Sequence, residues 1–262
     1  HRHDLYLDAK GPRGAARPGN KVTWTDKYGN THDLDFVIER DGTADQRGRP
    51  LAFIESAWRR YTKHSRNKAQ EIQGAILPIV EQWAWDAPFK GVILAGIFTS
   101  GAIAQLESTG FVVLYIDYAS VVRAFAQAGI DIAFDEETPD SVFGKALRAL
   151  NRLKPTQRED LKSNLRRTNQ PKIDEFMSEL AATLARVVEC IAILPLYGSV
   201  REFQHVAQAI AFLEAPIADT PASHIRPTKI EVVIRFTNGS RIDGSFVDAT
   251  PALDFIRYTA KS

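Results

Sequence analysis

The sequence predicts an α/β fold with a mixed central β-sheet flanked by helices, a helical region and a small ββα tail. Two β-rich runs surround a Gly-Asn turn near the start of the chain, and two wholly apolar runs alternate with helical segments in its middle. Two further β-rich runs flank an Asn-Gly turn near its end. With 262 residues, of which 44% are hydrophobic and 25% charged, the chain is long enough to bury a large core.

The β-rich and apolar segments are predicted to form strands. They are residues 22–25, 34–39, 51–55, 91–98, 111–116, 230–236 and 241–247. The first two form a hairpin, and the third follows a turn, so we expect it to pair antiparallel with the second. Residues 1–20 carry several Gly, Pro and basic residues, which is typical of a loop or mobile arm.

The predicted helices lie between and after these strands. The first spans about 58–85, where apolar residues recur at helical spacing and Lys68 shares their face. A short helix runs from Ser100 to Gly110 and another covers 119–128, while the pattern from 139 to about 213 is helical, with breaks at prolines. We therefore expect three units, namely a core over 1–138, a helical region over 139–215 and a ββα module over 226–262.

The composition favours an intracellular protein. The single cysteine, Cys190, lies in an apolar run, so we expect a buried thiol and no internal disulfide. No signal peptide and no apolar run of membrane-spanning length is present, so we expect a cytoplasmic, prokaryote-like protein with no membrane partner. Met177 is the one methionine, and we therefore expect that an N-terminal portion precedes His1.

Two acidic residues are the strongest candidates for chemistry. Asp35 interrupts the apolar start of one predicted strand, and Glu55 ends the next. Antiparallel pairing brings the start of one strand close to the end of its neighbour, so the two carboxylates are expected to meet. A carboxylate at a sheet edge costs free energy unless it is paired or binds a metal. Two converging carboxylates predict a hard-oxygen site for Mg²⁺, for which Mn²⁺ can substitute.

These residues resemble the core of the PD-(D/E)XK nuclease superfamily. In that family, an Asp near the start of one strand precedes a (Glu/Asp)-X-Lys at the end of the next, followed by a helix. Here Asp35 is followed after nineteen residues by Glu55-Ser56-Ala57, and the resemblance extends over about residues 20–128.

The resemblance implies a restriction-endonuclease-like core and a Mg²⁺-dependent DNA endonuclease similar to type II restriction enzymes. Asp35 and Glu55 would hold the metal together with the main-chain carbonyl of Ser56. Cutting both strands of double-stranded DNA requires two sites, so the resemblance also implies a homodimer.

The chain departs from the family at one position. The family's lysine is replaced by Ala57. A phosphodiester cleavage site requires a cation near the scissile phosphate. We therefore expect Lys68, on the following helix, to take this role as a third catalytic residue, with Lys63 as the second candidate.

The formal net charge is only +1, but basic residues cluster in two segments. Residues 58–72 carry five basic side chains against one acidic, and residues 145–172 carry nine against two. Such clusters can neutralise DNA phosphates. The predicted DNA-contacting residues are Arg59, Arg60, Lys63, His64, Arg66, Arg166 and Arg167. The amides of Asn164, Asn169 and Gln170 lie beside the second cluster and are candidates for reading base edges.

Two alternatives remain open at the level of sequence. Because Ala57 replaces the lysine, the chain could be a non-catalytic DNA-binding protein with a degenerate nuclease fold. A nuclease of repair, transposition or an RNA-guided system would carry the same core motif. Nucleotide-binding and zinc sites are disfavoured, since the Walker lysine, the GxGxxG spacing and paired Cys/His spacings are missing from the sequence.

Overall fold

The computed structural model describes residues 5–14, 16–61, 65–135, 137–195, 199–215 and 229–260. It is a mixed α/β structure with a five-stranded sheet, a four-stranded sheet and a separate two-stranded hairpin. The strands are β1 (Leu5–Ala9), β2 (Val22–Thr25), β3 (Thr31–Leu34), β4 (Phe36–Arg40), β5 (Arg49–Arg59), β6 (Phe89–Gly96), β7 (Val112–Asp117), β8 (Val188–Pro195), β9 (Arg201–Phe203), β10 (Ile230–Phe236) and β11 (Arg241–Phe246).

The helices are α1 (Ser65–Gln82), α2 (Ser100–Ser108), α3 (Tyr118–Gln127), α4 (Asp140–Arg152), α5 (Pro155–Thr168), α6 (Gln170–Leu184), α7 (Val206–Glu214) and α8 (Ala249–Thr259). A short 3-10 turn, Ala84–Asp86, precedes β6. Among the described residues, no helix has the length and apolar composition needed to cross a membrane.

The larger sheet has the strand order β1-β4-β5-β6-β7. The first three strands pair antiparallel, and β5, β6 and β7 pair parallel, so the predicted mixed central sheet is confirmed. Side chains alternate between the two faces of each strand, and both faces of β5 are covered. Phe53 and Ala57 pack in the layer that contains α1 and α2, whereas Ala52 and Ile54 pack against α6.

The predicted hairpin at the Gly-Asn turn is confirmed in its first strand, but β2 pairs with β3 (Thr31–Leu34) and not with residues 34–39 as predicted. The second predicted strand, however, is divided at a bend at Asp35, because Leu34 ends β3 while Phe36 begins β4 of the five-stranded sheet. Trp24 of β2 packs edge-on against Phe53 of β5, with ring centroids 5.6 Å apart. The hairpin is therefore anchored directly to the central strand.

The expectation of a loop or mobile arm over residues 1–20 is wrong for Leu5–Ala9. These residues form β1, an edge strand that pairs with β4, a partner about thirty residues away that local composition does not reveal. Behind β1, the fully buried guanidinium of Arg17 bonds the carboxylates of Asp8 and Glu39. The segment after β1 is therefore fixed to the sheet by buried ion pairs.

The first predicted helix begins later than expected. The sequence predicts its start near residue 58, but β5 continues to Arg59, and α1 begins at Ser65. Parallel pairing with β6 up to Gly96 satisfies the backbone of this extension, and Arg59 accepts a further bond from the backbone N–H of Ile97 at 2.7 Å. Residues 58–61 therefore lie at the carboxyl end of the sheet and not on a helix.

The helical expectation over residues 139–213 is correct for α4, α5, α6 and α7 and wrong for β8 and β9. The β-branched residues of β8 pair with β10 of the tail, in a sheet ordered β11-β10-β8-β9. The ββα tail is confirmed as β10, β11 and α8. Cys190 is half-exposed on β8, where Arg235 donates to its sulfur, and so it is not the buried thiol expected.

A buried carboxylate joins the two sheets. Asp86 is 2% exposed and accepts bonds from Arg49 of β5 and from the hydroxyl of Tyr258 on α8, the latter at 2.7 Å. Arg186 donates to the backbone carbonyls of Asp86 and Ala87. Charges from both halves of the chain therefore meet at this point, which fixes the smaller sheet against the core.

Candidate functional site

The candidate site lies where β4 and β5 separate. The ladder between them ends at the pair Phe36 and Ile54, but β5 continues for five residues to Arg59. Asp35 sits at the bend just before β4, and Glu55 is the first residue of the extension. The predicted meeting of the two acidic residues is confirmed, because the backbone N–H of Asp35 donates to Oε1 of Glu55 at 3.1 Å.

Beyond the end of the β4–β5 ladder, the Asp35 side chain takes the place of a β4 backbone group and accepts hydrogen bonds from β5. Its Oδ2 accepts bonds from the backbone N–H of Ser56 at 2.8 Å and from the Ser56 hydroxyl at 2.7 Å. In a strand, the N–H and C=O of one residue point to the same edge. The Ser56 carbonyl is therefore directed to the edge that Asp35 occupies, where the resemblance to the nuclease family implies a third oxygen ligand.

Glu55 is in an unfavourable environment for a charge. It is 8% exposed, and burial, together with the nearby charge of Asp35, raises the pKa of its carboxyl to about 7. The charge of Lys68 and the hydrogen bond from Asp35 act in the opposite direction. A buried carboxylate beside a second carboxylate is stabilised by a proton or by a cation, so Glu55 and Asp35 together suit a divalent metal ion.

Lys68 is positioned near this pair by α1. That helix packs on the face of β5 that carries Phe53 and Ala57, and alternation places Glu55 on the same face. The Lys68 side chain is 22% exposed, and its ammonium also pairs with Oε2 of Glu71 at 3.3 Å. The structure thus brings a lysine from the helix close to the face where the Ala57 side chain leaves no charge.

The oxygen donors at this site number two carboxylates and one carbonyl. Within the described part of the chain, no three His, Cys, Asp or Glu side chains form a metal-binding group. Mg²⁺ commonly uses only one or two carboxylates together with substrate phosphate and water. The chemistry of Asp35, Glu55 and the Ser56 carbonyl therefore fits this ion.

The residues of the first basic cluster that were predicted to contact DNA lie in different environments. Arg59 donates to the backbone carbonyl of Trp58, and Arg60 stacks between the rings of Tyr61 and Phe143, 4.3 and 4.0 Å from their centroids. Arg66 is exposed in the first turn of α1. Two other predicted contacts, Lys63 and His64, lie outside the described residues.

The second basic cluster is spread over α4, α5 and α6, with four of its nine basic residues on α5. Arg166 and Arg167 are exposed there, as expected for phosphate contacts, and Arg167 donates to the side chain of Asn164 at 2.7 Å. Arg158, in contrast, donates to three carbonyls at the end of α4 and serves as a helix cap. Asn169 is 2% exposed and bonds the backbone of α5, so the expectation that it reads base edges is wrong.

Sequence analysis missed Trp58, which it assigned to the start of a helix. The side chain is 45% exposed on the extension of β5, two residues beyond Ser56. Residues 54–58, Ile-Glu-Ser-Ala-Trp, show no alternation of apolar and polar side chains, so the local sequence carries no strand signal at this position.

Comparisons of this chain with protein-family models, with curated proteins and with solved structures give no significant match. The resemblance to the PD-(D/E)XK nucleases therefore depends on the residues and the strand arrangement described above. An Asp and a Glu meet where two antiparallel strands separate, and a parallel β-α-β unit follows.

Proposed function

We propose that this protein is a Mg²⁺-dependent endonuclease that hydrolyses phosphodiester bonds of double-stranded DNA, with sequence specificity like that of type II restriction enzymes. One observation supports it above the others. The buried carboxylate of Glu55 lies directly beside Asp35, on the strand face approached by Lys68. A restriction-endonuclease-like core, built from β4 to β7 with α1 to α3, is the corresponding fold proposal.

In this proposal Asp35, Glu55 and the Ser56 carbonyl hold Mg²⁺, which supplies Lewis-acid stabilisation of the phosphate charge when it is bound. Ser56 orients Asp35 through its N–H and hydroxyl. Lys68 stabilises the negative charge that develops on the phosphate. Its ion pair with Glu71 holds the ammonium on the side of α1.

The proposed partners follow from the same chemistry. The exposed arginines of α1 and α5 would neutralise DNA phosphates, and binding would weaken steeply with salt. A homodimer would place one such site on each DNA strand. A nuclease of repair or transposition would use the same residues, and a neighbouring gene for a DNA methyltransferase would favour the restriction enzyme.

A second candidate function is a non-catalytic DNA-binding protein with a degenerate nuclease site. Ala57 favours it, because the side chain next to Glu55 on the same strand face carries no charge. The two functions differ in metal binding. Calorimetry that detects DNA binding but no Mg²⁺ or Mn²⁺ binding would support the degenerate site.

Plasmid digestion tests the proposed nuclease. Supercoiled DNA incubated with the wild type and Mg²⁺ is expected to be nicked and linearised, and the Asp35→Asn variant is expected to lose more than about 100-fold in rate. Mutation of residues that only orient a metal ligand already costs about 10- to 100-fold, so loss of a direct ligand should cost more. The matched control is Asp33→Asn, a nearby exposed carboxylate paired with Lys21. DNA left intact by the wild type, or cut equally by the Asp35→Asn variant, contradicts the proposal.

Lys68 has a separate expected effect. Lys68→Ala should lower the turnover rate about 100-fold or more with little change in KM, as for other groups that stabilise transition-state charge. Steady-state cleavage of a short duplex measures both constants. Glu71→Gln, which removes only the partner of Lys68, should stay within a few-fold of the wild type. Equal losses for both variants would mean that Lys68 acts only through its ion pair.

A further inference from the structure

Trp58 forms an exposed aromatic surface beside the candidate site. Its indole is 45% exposed, although a tryptophan ring has a large apolar area that normally packs in a core. Trp24, by comparison, is 4% exposed. An exposed aromatic ring next to polar groups presents a flat apolar face on which another ring can stack.

The ring is supported on two sides. Tyr118, the first residue of α3, lies with its ring centroid 6.0 Å from that of Trp58, and its own hydroxyl is bonded to the loop that follows α3, at Ile132 and Phe134. Gly96 lies beneath the indole, where a Cβ would come within 3.3 Å of it. The indole is therefore held by its neighbours. Because its orientation is already fixed, little side-chain entropy is lost when another ring stacks on it.

The position of Trp58 relates it to the two carboxylates. Ser56 and Trp58 point to the same side of β5, about 7 Å apart at two residue rises of a strand. Ser56 bonds directly to Asp35. The same alternation places Trp58 on the opposite face of β5 from Glu55 and Lys68. A nucleotide whose phosphate lies at the free edge of β5, beside Asp35, therefore reaches the indole by turning its base toward the face that carries Ser56 and Trp58.

Basic side chains lie at the same carboxyl end of the parallel strands. Lys172, at the start of α6, donates to the carbonyl of Tyr115 at 3.0 Å and lies 3.6 Å from Asp117, the residue before Tyr118. Arg60, four residues beyond Ser56, stacks its guanidinium on the ring of Tyr61. Aromatic rings combined with cations are the features that bind unpaired nucleotides with little sequence preference.

We propose that Trp58, supported by Tyr118, stacks on one unpaired DNA base next to the phosphate held at Asp35 and Glu55. This inference deepens the proposed nuclease function and rests on it for the position of the phosphate. A base in an intact duplex already stacks on both neighbours. The surface therefore selects DNA that is single-stranded at that position, or from which one base has been rotated out.

The test measures binding without metal. Fluorescence anisotropy in EDTA compares two labelled 12-mers of equal charge, oligo(dT) and an oligomer of abasic nucleotides. The wild type should bind oligo(dT) more tightly, and Trp58→Ala should lose roughly 5- to 100-fold in affinity for oligo(dT) alone. Trp58→Phe should stay within a few-fold of the wild type. The control is Tyr28→Ala, which removes an aromatic ring that is 70% exposed on the β2–β3 turn.

The outcomes separate this inference from the proposed function. A wild type that binds both oligomers equally, or a Trp58→Ala variant with unchanged affinity for oligo(dT), overturns the stacking surface even if plasmid DNA is cut. Base-dependent binding that needs Trp58 supports the surface, even if no cleavage is found and the nuclease proposal fails. Unchanged binding of the abasic oligomer by Trp58→Ala excludes misfolding as the cause of the loss.

Discussion

The Glu55→Gln variant should unfold at higher urea concentration than the wild type at pH 8 without divalent cations, although its cleavage activity should fall by more than about 100-fold. The carboxyl is 8% exposed and next to Asp35, so its ionised form is disfavoured in the folded state. Gln keeps an oxygen that can accept the bond from the Asp35 backbone N–H. Removal of the charge therefore removes a cost of folding and the proposed metal ligand together.

The direction of the pH dependence follows from the pKa. Burial raises the pKa of Glu55 to about 7 in the folded state, from 4.5 when exposed. Between these values the folded chain holds a proton that the unfolded chain has released, so this group makes stability fall as pH rises from about 4.5 to about 7. At pH 8 the cost has its full size, up to about 3 kcal/mol at 1.36 kcal/mol per pKa unit.

Urea unfolding at pH 4 and pH 8 measures this effect. The difference in free energy of unfolding between Glu55→Gln and the wild type should be large at pH 8 and near zero at pH 4. Glu71→Gln is the matched control, because that side chain is 60% exposed and should have little effect at either pH. Mg²⁺ should stabilise the wild type and leave Glu55→Gln unchanged. If Glu55→Gln were less stable than the wild type at pH 8, the charge of Glu55 would not destabilise the folded state, and the prediction would be wrong.

The Arg17→Met variant should lose about 3–5 kcal/mol of folding free energy, the usual cost of leaving a buried charge without its partner. The Arg17 side chain is fully buried, and its two terminal nitrogens bond both oxygens of Glu39 and one oxygen of Asp8. The two carboxylates are 1% exposed or less. The hydrogen bond to Glu39 and the charge of Glu39, followed by the bond to Asp8, keep the pKa of the Arg17 guanidinium above its usual value, against the effect of burial.

Chemical unfolding at pH 7 measures this loss against Lys21→Met, which removes one half of an exposed ion pair with Asp33 and should cost less than about 1 kcal/mol. Arg17→Met combined with Asp8→Asn and Glu39→Gln should recover part of the loss, because the stranded charges are then removed. If Arg17→Met alone were as stable as the Lys21→Met control, the residues after β1 would not be held by Arg17.

The local sequence pattern was sufficient to predict strands whose pairing partners are close to them in the chain. The β2–β3 hairpin and the β10–β11 pair follow from Gly-Asn and Asn-Gly turns between β-rich runs, and both were predicted. The meeting of Asp35 and Glu55 followed from one antiparallel pairing across a turn. The apolar strands β6 and β7 were recognisable because strands covered on both faces have few polar positions.

Prediction failed where a strand's partner is distant. Leu5–Ala9 and Val188–Pro195 form strands because β4 and β10 offer free edges, and neither partner is visible in a local window. The start of α1 was misplaced because β5 gains five more residues by pairing with β6. Trp58 was misassigned for the same reason.

The sequence by itself therefore determined the mixed α/β class, both hairpins and the pairing of Asp35 with Glu55, since each depends on short turns and on periodicity. Only the tertiary structure decided that Glu55 is buried, that Lys68 lies over its strand face and that Trp58 is exposed beside Ser56. Burial and electrostatic environment depend on which elements cover a strand from outside its own segment. That information lies in contacts between residues far apart in the chain.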